Sequence, residues 1–189
     1  MRDRGVSRGV PTRIQLASYT TFRSRPIGSW FEQCDVRTMS PRLGYRALRH
    51  GRVSLPGHAY LVTAVSAYRR PLFRDVDAAR TLSRCMHAPS CWGDAVLLCW
   101  VLMPDHWHGL VKLGARDSLA TVMNRFKSLT AKRLHCTQMG LVWDRGYHDR
   151  ALRADEDVRV VARYIVANPL RAGLVSHVLD YPYWNCVWL

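Results

Sequence analysis

The sequence predicts an α+β fold, a ferredoxin-like antiparallel sheet with helices packed mainly on one face. Three observations point there. Short apolar, β-branched runs alternate with segments of helical period. Two of those runs are separated only by a tight turn, Met103-Pro104-Asp105. The resulting order, β-α-β-β-α-β-α, places a hairpin in the middle of an alternating pattern, which favours an antiparallel or mixed sheet.

Each element follows from its residues. Pro56-Gly57 marks a turn, and Ala59–Ser66 (AYLVTAVS) reads as a buried strand. Asp75–His87 carries Val76, Ala79 and Leu82 at helical spacing. Ala95–Val101 (AVLLCWV) is a second buried strand, and His106–Leu113 (HWHGLVKL) a third, paired with it as a hairpin. Asp117 or Ser118 caps a helix running to about His135, with an apolar stripe of Leu119, Val122, Met123, Phe126 and Leu129. Leu141–Leu152 holds a fourth strand around Trp143 and Tyr147. Asp155 caps a third helix, with Glu156 and Asp157 at its positive end, and Pro169 stops it. The aromatic tail Tyr181–Leu189 packs back on the core.

Residues 1–38 are rich in Gly, Ser, Pro and Arg and show no core-forming period, whereas Met39 opens a segment that reads like a natural start. They are expected to be a disordered extension or a mis-assigned start, leaving residues 39–189 as one catalytic domain.

Composition limits the function classes. Hydrophobic residues make up 48% of the 189, enough for a packed core. Lys and Arg number 28 against 14 acids, a net charge of +14, and all the lysines are Lys112, Lys127 and Lys132. An arginine-rich surface of one sign calls for a polyanionic partner, since guanidinium groups bind phosphates bidentately and stack on bases. No apolar run approaches the ~18 residues of a membrane helix. Six cysteines without a C-x-x-C pair, and no signal-peptide pattern, suggest free thiols in the cytoplasm. Cys85 to Cys91 offers half a zinc site with no second half.

The sharpest chemical feature is His106-Trp107-His108. Residues two apart on a strand face the same way, so the imidazoles share one face and Trp107 takes the other. Such a pair is either the start of a divalent-metal site or two histidines on a solvated face. Tyr164 and Asn168, four apart, share a face of the third helix. Asn168 offers an amide oxygen for a hard cation. Tyr164 offers a phenol that needs activation to become a nucleophile, and it is equally readable as a core residue.

Several ordered stretches then resemble one known family. They are Leu48–Ser54 with Gly57–Thr63, Arg69-Arg70-Pro71-Leu72-Phe73, Val101–His108, Phe126-Lys127-Ser128, Trp143–Arg150 and, most specifically, Tyr164–Val175. From about Arg42 to Trp184 the chain resembles the REP-associated tyrosine transposases, members of the HUH single-strand nucleases. The resemblance implies that His106 and His108 hold a metal, Mg²⁺ or Mn²⁺, with Asn168 at the third-ligand position. Tyr164 would be the nucleophile, leaving a 5′-phosphotyrosine link and a free 3′-OH. The implied substrate is single-stranded DNA whose palindromes fold as hairpins, with no nucleotide cofactor and no membrane partner. Arg46, Arg49, Arg52, Arg125 and Lys132 are the expected phosphate contacts. A monomer is expected rather than a dimer, cytoplasmic and nucleoid-associated when bound to DNA. The alternative is a domesticated, non-catalytic binder of hairpin DNA.

Overall fold

A computed structural model describes residues 54–135 and 141–188. The N-terminal region, including 1–38 and the expected phosphate contacts Arg46, Arg49 and Arg52, lies outside them. Five strands form one antiparallel sheet: β1 (Ala59–Val65), β2 (Val96–Met103), β3 (His106–Lys112), β4 (His148–Ala151) and β5 (Trp184–Cys186), in the order β4-β1-β3-β2-β5. The helices are α1 (Val76–Met86), α2 (Pro89–Trp92), α3 (Leu119–His135), α4 (Val158–Val166) and α5 (Asn168–Arg171). The expected order and the ferredoxin-like sheet are both present. The tail contributes a fifth strand, too short to reveal its own alternation.

β3 lies in the centre, flanked by β1 and β2, and alternate residues of the three feed two cores. On one face Tyr60, Val62, Trp100, Leu102, Trp107 and Val111 pack against α1 and α3 through Leu82, Val122, Met123 and Phe126. On the other, Leu61, Cys99, Val101, Met103 and Leu110 meet Val161, Ala162, Ile165 and Val166 of α4. The two long crossover helices thus share a face, and the third helix covers the opposite one. Trp107 lies among Phe126 and Trp92, with centroids 4.7 and 6.0 Å away. Its ring folds across Gly109, where any Cβ would collide with it.

Local chemistry sets the helix ends. Asp75 accepts from the Ala78 N–H at 2.8 Å, and Ser118, rather than Asp117, caps α3 through the Thr121 N–H at 3.1 Å. Asp117 is instead engaged by Arg125 at 2.8 Å. The cap of α4 is Asp157, which accepts from the Arg159 N–H, not the expected Asp155. Between them Glu156 is occupied by the Arg150 guanidinium at 2.6 and 2.7 Å, which holds this stretch as a turn. Around Trp143 the expected strand reduces to a single bridge to Ser66, and the ladder begins at His148. Lys127 fixes the intervening loop, donating to the carbonyls of Asp144 and Gly146 at 2.6 and 2.7 Å. Among the described residues no helix is long and apolar enough to cross a membrane.

Candidate active site

The candidate site lies on the α4 side of the sheet. Strand alternation turns His106 and His108 of β3 to that face while Trp107 enters the opposite core. Their Nε2 atoms converge to 3.0 Å, with ring centroids 4.7 Å apart and the planes nearly perpendicular.

Each ring is held from behind by its Nδ1. His106 Nδ1 lies 2.6 Å from the Asp105 carboxylate, which fixes the proton on Nδ1 and leaves a lone pair on Nε2. His108 Nδ1 lies 2.8 Å from the hydroxyl of Thr63, its register partner on β1. That hydroxyl donates or accepts as needed, so His108 has access to both neutral tautomers. With Nδ1 protonated on both rings, two lone pairs converge at 3.0 Å, an arrangement that a cation between them stabilises. Burial pushes the His108 pKa down to about 3, assisted by the neighbouring His106 ring and, less, by the Arg171 guanidinium, and opposed by Asp105. A neutral imidazole at pH 7 is the form that ligates metals. The His106 ring, in turn, holds the Asp105 carboxyl below its usual range.

Among the described residues no third His, Cys, Asp or Glu joins the pair. His148 stands opposite Thr63 on β4 without completing a cluster. The donor set therefore suits an ion that accepts amide, water or phosphate oxygens alongside two imidazoles.

Asn168 is placed by an unusual join between α4 and α5. Pro169 was expected to stop the helix. The helix does end before it, α4 closing at Val166, but its cap Ala167 keeps a helical backbone and Pro169 falls in the first turn of α5. Proline has no N–H to give the Ile165 carbonyl four residues back, and the Asn168 side-chain nitrogen supplies that bond at 2.9 Å. A second bond, at 3.2 Å, goes to the Tyr164 carbonyl. The amide nitrogen is thereby committed to the backbone, leaving the oxygen as the acceptor that could ligate.

Because the backbone remains helical through the join, Tyr164 and Arg171 share a face. The Arg171 guanidinium sits 4.4 Å from the Tyr164 ring centroid, a cation–π contact. The Arg171 charge also weighs, as the smallest contribution, against the protonated form of His108. Sequence reasoning gave no role to Arg171, Asp105 or Thr63. The seven-residue interval from Tyr164 to Arg171 was visible as two helical turns, but the proline between them concealed it. Thr63 lies 45 residues from His108, and only strand register reveals the pairing. Of the expected phosphate contacts within the described residues, Arg125 and Lys132 belong to α3, across the sheet from the histidines. The fold does not bring them to the pair.

Comparison with known proteins agrees with this frame. A REP-associated tyrosine transposase of Escherichia coli K12 is 27% identical over 84 residues, 44% of this chain and 50% of the relative. A Haemophilus influenzae protein, provisionally assigned to the same group, is 28% identical over 113 residues, 52% of this chain and 60% of the relative. The chain thus spans about half of the curated relatives it matches. A solved REP-associated tyrosine transposase, bound to a REP hairpin, superposes with a TM-score of 0.57 at 21% identity, over 70% of this chain and 79% of that one. It shares the fold. The family model described as "Transposase IS200 like" matches residues 54–168, more than half the chain and the whole stretch from β1 to Asn168, and the protein belongs to that family.

Proposed function

We propose that the protein is a metal-dependent single-stranded DNA endonuclease and strand transferase acting on hairpin-forming palindromic DNA. The observation that carries this reading is the pair of Nε2 atoms at 3.0 Å, tied from behind by Asp105 and Thr63, on the sheet face covered by the helix of Tyr164.

His106, His108 and the Asn168 amide oxygen are the residues that would hold Mg²⁺ or Mn²⁺. Such an ion, when bound, polarises a phosphate oxygen. The protein's own groups do the rest. The Tyr164 hydroxyl oxygen attacks the scissile phosphorus and gives up its proton. The bond to the 3′ oxygen breaks, that oxygen takes up a proton, and a 5′-phosphotyrosine ester replaces the phosphodiester. One ester is exchanged for another, so no nucleotide cofactor is consumed, and attack by a second 3′-OH reverses the step into joining. Arg171, stacked on the Tyr164 ring, places a fixed cation where phosphate charge is handled.

The test uses end-labelled, single-stranded hairpin DNA drawn from the flanks of the gene, resolved on a denaturing gel with Mn²⁺ or with chelator. A covalent protein–DNA band that requires Mn²⁺ is expected. Full cutting in chelator would remove the metal site from the mechanism, and hairpin binding with no adduct under any condition would make the chain a binder alone.

A further inference from the structure

The loop after β1 carries an element for which neither the fold nor the proposed chemistry accounts. Tyr68 and Arg69 are consecutive non-glycine residues with φ of 58° and 52°, in the left-handed region that L side chains avoid. The strain is held in place: the Arg69 N–H donates to the Ser66 carbonyl at 3.0 Å, and the Ser66 hydroxyl donates to the Arg70 carbonyl at 2.6 Å. Yet Tyr68 is 84% exposed. Glycine would satisfy this backbone without strain. An aromatic ring held out by an unfavourable conformation, and burying almost nothing, contributes little to stability.

Its surroundings indicate what the ring meets. The loop is bolted to the hairpin turn that begins the histidine strand, since the Ser66 N–H donates to the Asp105 carbonyl and the Phe73 N–H to the Pro104 carbonyl, both at 2.9 Å. The half-exposed Arg69 guanidinium lies 3.7 Å from the carboxylate of Asp105, the group that orients His106. Arg70 and Arg74 follow in the same loop. An exposed aromatic beside arginines, one residue from the support of a phosphate-handling site, is the composition of a single-strand stacking platform.

We infer that Tyr68 stacks on an unpaired base of single-stranded DNA adjoining the cleaved phosphate, with Arg69 meeting the backbone of that nucleotide. The inference rests on the proposed function and adds a nucleotide subsite to it. On this view the strained turn presents the ring to the strand, and Asp105 connects the subsite to the histidine pair.

The experiment measures binding of the full-length protein in chelator, so that cutting plays no part. The probes are a fluorescent hairpin with a single-stranded tail, the same hairpin with abasic sites in its tail, and the RNA version of the first. The variants are Tyr68→Gly and Tyr68→Trp. Tyr68→Gly is expected to keep or raise the Tm while weakening binding of the tailed hairpin about tenfold. It should leave the abasic probe unaffected, and Tyr68→Trp should bind as wild type does. Equal affinity of Tyr68→Gly and wild type for the intact tail overturns the inference, as does a fall in Tm with Tyr68→Gly. Tighter, Tyr68-dependent binding of the RNA probe overturns it in favour of an RNA subsite. Failure here with wild-type adduct formation intact removes only the subsite. Absence of any adduct alongside a Tyr68-dependent tail preference removes the cleavage chemistry and leaves the subsite.

Discussion

The two faces of the central sheet are built from the same strands and do opposite work. On one, Trp107 is fully buried among the rings of Trp92, Phe126 and, through Phe126, Trp143, in a core that is mostly apolar. On the other, the neighbouring residues His106 and His108 bring four ring nitrogens, those of His108 buried, into a space already occupied by Thr63 and Asp105. Burying polar rings costs free energy that their hydrogen bonds only partly return. The apolar face supplies the surplus. Placing Trp107 between the two histidines therefore couples them: the residue that anchors the strand most firmly also fixes the backbone from which both imidazoles project. Changes on one face should be read in stability and on the other in chemistry.

The sharpest division is expected at Tyr164→Phe. Only the hydroxyl leaves, so the Arg171 stacking and the α4 core remain, and the Tm and hairpin affinity should stay near wild type. Covalent adduct should fall by about 10⁴-fold or more, as when other nucleophiles are removed. His106→Ala should abolish cutting as well, with loss of the thermal shift that Mn²⁺ gives the wild type. An adduct that persists in Tyr164→Phe would assign the nucleophile to another residue and break the division.

Trp107→Ala should do the reverse, costing about 3–5 kcal/mol of stability through the cavity left beside Phe126. Gly109→Ala should be destabilising too, since its Cβ enters the space of the Trp107 ring. Urea unfolding monitored by tryptophan fluorescence measures both. A Trp107→Ala protein as stable as wild type would show that the apolar face does not carry the strand.

How far each face was legible follows from the kind of pattern that builds it. The apolar core is periodic, so Leu119, Val122, Met123 and Phe126 announced α3, and the alternation of His106 to Leu113 announced which residues of β3 point together. The site is assembled across the sequence. Asp105 adjoins His106 but looked like a turn residue, and Thr63 looked like one more β-branched position in a buried strand. Arg171 lay beyond a proline that in most helices ends the face, and here does not because Asn168 repairs the missing bond. The α4 cap was missed for a related reason: Asp155, Glu156 and Asp157 look alike by composition, Arg150 occupies Glu156, and the Arg159 N–H goes to Asp157. Local rules identify residue types, and competition for partners identifies roles.

The buried imidazole gives the polar face its own pH signature. His108 titrates near pH 3 when folded and near 6.5 when unfolded. Between those values the unfolded chain binds a proton that the folded chain refuses. Stability therefore declines as pH drops below about 6.5, at up to about 1.4 kcal/mol per pH unit, and the decline ends near pH 3. Asp105, whose carboxyl is held low, adds its own loss only in more acidic solution, once the carboxylates begin to protonate. Urea midpoints at pH 7.5, 6.5 and 5.5 should therefore fall more steeply for wild type than for His108→Gln. Parallel curves would mean that the ring is not held neutral and buried.

The smallest effect concerns whether DNA also follows the apolar side, where α3 carries Arg125 and Lys132. These two are not equivalent. Arg125 holds Asp117 at 2.8 Å beside Gly93, where a Cβ would strike its guanidinium, so most of its charge is spent within the protein. Lys132 is exposed. If a single strand passes along α3, Lys132→Ala should lower the slope of log Kd against log salt by about 0.7, the share of one phosphate contact. Arg125→Ala should change it less and instead cost up to about 1 kcal/mol of stability, the upper range for a partly exposed pair. Fluorescence anisotropy of the tailed hairpin between low and moderate salt measures both slopes. A slope unchanged in both variants confines the DNA to the histidine face. A drop of similar size in both would mean that the strand displaces Asp117 from Arg125, and that the face assigned to stability also binds substrate.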